Sequence, residues 1–124
     1  MPSPRRPATT FEELVVWQRA KELSLRVYRV TSTGQLARDL GLRSQIQRAA
    51  VSVMSNIAEG FERNSRAEFA RFLAIARGSA GEVRSQVYLA SELGFISHED
   101  TRILLGLCKE ITRMIVALRK SLGA

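Results

Sequence analysis

Apolar residues recur along this chain at alternating steps of four and three, the spacing that lines one face of an α-helix. From Phe11 to Thr31 the repeat is Val16, Ala20, Leu23, Val27 and Val30. Leu14, Trp17, Leu25 and Tyr28 widen this stripe and predict a second buried face. Thr31, Ser32, Thr33 and Gly34 read as a turn. A second helix is predicted to begin between Gln35 and Leu42, where Gly41 blurs its start. It continues through Ile46, Ala49, Ala50, Val53 and Ile57 to Gly60 as a C-terminal glycine. The third helix carries Phe69, Leu73, Ala76, Ala80, Val83, Val87 and Ala90 without a break and ends at Gly94. The fourth runs from about His98 to Ser121 with Leu104, Leu107, Ile111, Met114 and Leu118 inward.

Local signals agree with this periodicity. Thr10 with Glu13, Ser65 with Glu68, and Ser97 with Asp100 have capping-box spacing, in which a hydroxyl faces an acidic residue three positions on. All the prolines (Pro2, Pro4, Pro7) precede the first helix, and no period-two alternation suggests a strand. Four amphipathic helices with short links predict an all-α, antiparallel up-down four-helix bundle over residues 11–124. Residues 1–10, with Arg5 and Arg6 beside the prolines, read as a flexible basic arm.

Composition narrows the function classes. A chain of 124 residues with 45% hydrophobic and 25% charged residues is ordinary for one globular domain. No run approaches the ~20 apolar residues of a membrane span, and no apolar stretch follows the basic N-terminus, so a cytoplasmic address is expected. The formal charge is +7, and the only lysines are Lys21, Lys109 and Lys120. A positive, arginine-rich surplus favours phosphate-bearing partners, although codon bias yields the same composition. Cys108 sits among apolar residues and reads as a buried thiol. The lone His98, beside Glu99 and Asp100, cannot supply the paired Glu-x-x-His motifs of a di-metal bundle. No nucleophile-elbow, phosphate-loop or Cys-x-x-Cys signature is present. The chain is expected to be non-enzymatic, with no catalytic residue, metal or cofactor.

Two segments depart from a plain leucine core: Ala49 to Gly60, and Ala74 to Glu82. Gly78 and Gly81 inside a helix each cost about 1 kcal/mol relative to alanine. Close approach of two helix backbones would offset that cost. Gln45, Arg48, Ser52, Asn56 and Glu59 share one face of the second helix, and Arg77, Ser79, Glu82 and Gln86 lie at similar depth on the third. Two readings stay open. In one, these sets meet as a seam with buried ion pairs, Arg48 with Glu82 or Arg77 with Glu59, that fix register. In the other, they form a solvated stripe.

The same segments carry a family resemblance. Gln45-x-x-Arg48-Ala49-Ala50-Val51-Ser52, Ser55-Asn56-Ile57-Ala58-Glu59-Gly60 and Phe72-Leu73-x-x-Ala76-Arg77-Gly78-Ser79 resemble the 23S ribosomal RNA intervening-sequence protein family. Phe11-Glu12-Glu13-Leu14-x-x-Trp17-x-x-Ala20 and Leu93-Gly94-Phe95-Ile96-Ser97 are similar to it as well. The resemblance implies a small bacterial four-helix bundle that assembles as a homo-oligomer, a five-fold ring in relatives, and related accessory proteins that bind nucleic acid and a protein client. The chain departs from the family at Met54, where proline is common, and at Thr33 to Arg38, where a proline-led acidic connector is common. The first change predicts a straighter second helix.

Structured RNA or another nucleic acid is therefore the leading expected partner. Arg38, Arg43, Arg63, Arg66 and Arg71 are the candidate phosphate contacts, and the sparse aromatic content argues against base-specific readout. The other expectation is an oligomeric protein-interaction scaffold, with no membrane partner. In it Gln45, Arg48, Ser52, Asn56, Glu59, Arg77, Ser79 and Glu82 would build contacts between subunits.

Overall fold

The computed structural model describes residues 7–124, so Pro2, Pro4, Arg5 and Arg6 of the predicted arm lie outside the described residues. A 3-10 turn at Phe11–Glu13 leads into α1 (Val15–Thr31), followed by α2 (Gly34–Arg38), α3 (Leu40–Glu62), α4 (Arg66–Glu92) and α5 (His98–Ser121). The four long helices pack in a ring: α1 against α3, α3 against α4, α4 against α5, and α5 back against α1. Short links between consecutive members make this the expected up-down bundle.

The inward repeats are buried as their spacing requires. Leu23, Val27, Val53, Ile57, Leu73, Val83, Ile111 and Ile115 are fully enclosed. Each contributes on the order of 1.5–3 kcal/mol on leaving water. The ends of α4 and α5 follow their caps: Ser65 Oγ accepts from the Glu68 backbone N–H (3.3 Å) and Ser97 Oγ from that of Asp100 (3.0 Å). Met54 lies within an unbroken α3.

Four sequence expectations need correction. Thr10 does not open α1: it precedes the 3-10 turn without a cap bond, Glu13 Oε1 accepts from Thr9 Oγ1 (2.9 Å) and from Thr10 Oγ1 (3.5 Å), Leu14 is extended, and α1 starts at Val15. The vague start of the second helix resolves into two elements. Asp39 breaks the chain between α2 and α3 and caps α3 by accepting from Leu42 N–H (3.0 Å), while Leu36 of α2 is buried in the core. Gly60 is not a C-terminal glycine, because α3 continues to Glu62 and reverses at Asn64, whose φ of 53° is a left-handed conformation that asparagine tolerates. The second buried face of α1 does not exist in full: Leu14 and Trp17 are half-buried, but Leu25 (48%) and Tyr28 (49%) face solvent.

Candidate assembly and nucleic-acid surfaces

The α3–α4 contact is the most extensive in the molecule. Buried Ala49 and Ala50 on α3 and Ala76 and Ala80 on α4 let the two helices approach. The approach is tightest at Gly60, where an added Cβ would stand 2.5 Å from the Phe72 Cβ. Along this contact the serines meet: Ser52 Oγ and Ser79 Oγ are 2.8 Å apart. Asn56 Nδ2 donates to Ser52 Oγ (3.0 Å) and to the Ser52 carbonyl (2.8 Å), so the Ser52 hydroxyl is free to donate to Ser79. Farther along, Gln86 Nε2 donates to Gln45 Oε1 (3.4 Å).

Part of the predicted seam is thus real, and part is not. Arg48, Glu59, Arg77 and Glu82 are exposed, and neither the Arg48–Glu82 nor the Arg77–Glu59 pair forms within 4.0 Å. Glu59 pairs instead with Arg63, one turn on (3.0 Å). The rotation of the helices puts the short serines at the contact, and the long charged chains keep their heads in water. Gln45, Arg48, Ser52, Ser79 and Glu82 line an open groove of about 380 Å³. The proposed role of Gly78 and Gly81 also fails within the subunit. Both are exposed, and an added Cβ at either would meet nothing within 4 Å.

The five candidate phosphate contacts fall at opposite ends of α3. Arg63, Arg66 and Arg71 gather at the α3–α4 link. Arg63 pairs with Glu59 and, at 3.8 Å, with Glu68, and Arg71 pairs with Glu68 at 2.7 Å. Both guanidinium groups sit over the Phe72 ring, at 5.1 and 4.5 Å from its centroid. The Arg71 hydrogen bond, with the charges of Arg71 and Arg63, holds the Glu68 carboxyl below its ordinary range. Arg66 Nη2 donates to the Ser121 carbonyl (2.9 Å), tying α4 to the end of α5. At the other end Arg43 Nη1 donates to the Ala37 carbonyl (3.1 Å) and braces α2 against α3. Arg38 is exposed and makes no such bond among the described residues. Four of the five therefore make bonds within the subunit.

Sequence reasoning missed a different set. Arg102, Lys109, Arg113 and Lys120 all lie on the solvent side of α5, and their spacing of seven, four and seven residues is a helical repeat readable from the chain alone. Beneath them Cys108 is fully buried, and burial pushes its thiol up to about 12, as an inert core cysteine requires. Among the described residues no group of three potential ligands could hold a metal, and no helix is long and apolar enough to cross a membrane. His98 is exposed at the start of α5.

Comparison with known proteins agrees with this architecture. A protein of unknown function from the S23 ribosomal protein family of Bacteroides thetaiotaomicron superposes with a TM-score of 0.77 at 24% identity, covering 85% of this chain and 98% of that one. No curated protein matches the chain. The family model for 23S rRNA-intervening sequence protein matches residues 12–117, nearly the whole bundle. The chain belongs to the family of 23S rRNA-intervening sequence proteins.

Proposed function

We propose that this chain is a non-enzymatic, homo-oligomeric bundle that binds structured RNA or another nucleic acid through arginine–phosphate contacts. The observation that carries this reading is the distribution of unpaired charge. Ion pairs within 4.0 Å occupy Arg19, Arg26, Arg63 and Arg71. The other described cations have no acidic partner at that distance, and the chain as a whole carries +7. Unpaired surface cations attract a polyanion and release its counterions on contact. The test is binding of the full chain to a structured RNA across a salt series. Affinity should fall steeply as salt rises, and absence of binding at physiological salt, or indifference to salt, overturns the reading.

Self-association rests on a separate observation. The outward side of α4 exposes Ile75, Tyr88 and Leu89 beside Gly78 and Gly81, and the adjoining groove carries Arg48 and Glu82, opposite charges that are unpaired within one subunit. A second copy offers both charges in return. Arg48→Glu should lower the mass measured in solution, and an unchanged mass would remove the α3–α4 groove from the interface. This face equally supports the scaffold reading, in which RNA is not bound and a protein client is.

A further inference from the structure

We infer that the solvent side of α5 is a straight cationic rail that seats the sugar–phosphate backbone of a nucleic-acid double helix. The inference rests on the nucleic-acid reading above and gives it a place and a substrate form. At about 100° per residue, Arg102, Lys109, Arg113 and Lys120 fall within about 40° of one another around the helix. At 1.5 Å per residue the row is about 27 Å long. The exposed residues between them on this side, Gly106 and Ala117, are small, so the cations stand clear of the surface.

The charges on this row are not used by the fold. None of the four has an acidic partner within 4.0 Å among the described residues. The acids of α5 are placed elsewhere: Glu99 and Asp100 stand in its first turn, and Glu110 is held by Arg19 of α1 at 3.1 Å. Glu99 stands one turn before Arg102, and Glu110 one turn before Arg113, where its carboxylate is turned to Arg19. Lys109 and Arg113 are like charges four residues apart, an arrangement that disfavours the helix unless an anion lies between them. The neighbouring edge of α4 adds exposed Arg77 and, two turns on, Arg84, which lies close enough to Cys108 for its charge to oppose the thiol's upward shift.

What the face lacks selects the partner. Unlike α1, α3 and α4, α5 exposes no large hydrophobic residue, so a protein hot spot or an inserted membrane helix has no anchor here. It carries no aromatic residue on which an unpaired base could stack, which disfavours single strands. A rigid, evenly directed row of cations matches the regular phosphate spacing of a duplex and carries no sequence information.

The experiment measures binding of the full chain to one 20-base-pair sequence as double-stranded RNA, as duplex DNA and as a single strand, each over a salt series. Anionic lipid vesicles form a further arm. In the B-DNA arm each phosphate contact contributes about 0.9 to the slope of log affinity against log salt. Lys109→Gln with Arg113→Gln should flatten that slope by about two, and the fourfold variant that adds Arg102→Gln and Lys120→Gln by about twice as much. Lys21→Gln with Arg29→Gln on α1, an equal loss of charge, should leave it unchanged. If the α1 and α5 double variants lower the slope equally, the rail is overturned and only the general nucleic-acid reading stands. Stronger binding to the single strand overturns the duplex assignment. Vesicle binding without duplex binding overturns the inference outright. If the unaltered chain binds none of the nucleic acids, the proposed function itself falls.

Discussion

The two sides of α4 treat the same residue types in opposite ways. On the inner side, small residues are used: Gly60 of the facing α3 admits Phe72, the alanines set the distance to α3, and Ser79 meets Ser52. On the outer side, Gly78 and Gly81 face open space, and Ile75 and Leu89 stand exposed beside them. Inside, the cost of glycine is offset by packing that no side chain would permit. Outside, nothing in the subunit offsets it. Helix-interior glycines are thus informative only once the space around them is known, and the two outer ones point beyond the subunit.

The sharpest way to test this contrast is to fill the glycines. Gly60→Ala places a methyl into backbone-anchored atoms of Phe72, and overpacking of that kind costs about 1–3 kcal/mol despite alanine's better helix propensity. Urea denaturation should show that loss. Labelling of buried Cys108 should accelerate in parallel, since the thiol is reached only when the bundle opens. A neutral outcome would mean that the α3–α4 contact is looser than the geometry shows.

A smaller, opposite effect is expected on the outer side. Gly78→Ala and Gly81→Ala should each stabilise the isolated subunit by up to about 1 kcal/mol, because nothing obstructs the new methyl. The same substitutions should weaken self-association if a second copy packs on this face. Destabilisation measured at concentrations where the chain is monomeric would break the comparison.

The smallest effect concerns charges at the first turn of α4. Arg71 and Arg63 lower the Glu68 carboxyl below its ordinary value of 4.5. A depressed carboxyl contributes stability above its unfolded value and loses it as pH falls through the folded one. Stability should therefore decline from about pH 4.5 downward, and Glu68→Gln should make that acid limb slightly shallower in a pH series of urea midpoints. Because the pair is exposed, salt should erase most of the difference.

The helices and their core were legible because the apolar repeat samples one face many times over, so a single exception such as Leu25 does not disturb it. The breaks were harder. Asp39 caps α3 only because the chain turns there, and Thr9 makes the shorter bond to the Glu13 carboxylate that Thr10 reaches at 3.5 Å. Those choices depend on one or two local bonds that spacing does not rank. The seam was half legible for a similar reason. Spacing placed Arg48, Ser52, Asn56 and Glu59 on one side of α3, but a small rotation of the helix decides which of them touches α4, and it favoured the serines. The cations of α5 carried a signal as regular as the core, yet net charge read as one number hides where charge is concentrated.

The link between α3 and α4 has a consequence for assembly of the fold. Arg63, Asn64 and Ser65 alone separate α3 from α4, so the largest interface is also the one between long helices whose halves lie nearest in the chain. Closing so short a loop costs little entropy, and contacts of low sequence separation form early. The contact between α1 and α5 spans most of the chain: Arg19 reaches Glu110 across 91 residues. The bundle is built to assemble from its middle outward, as a hairpin onto which the first and last helices close.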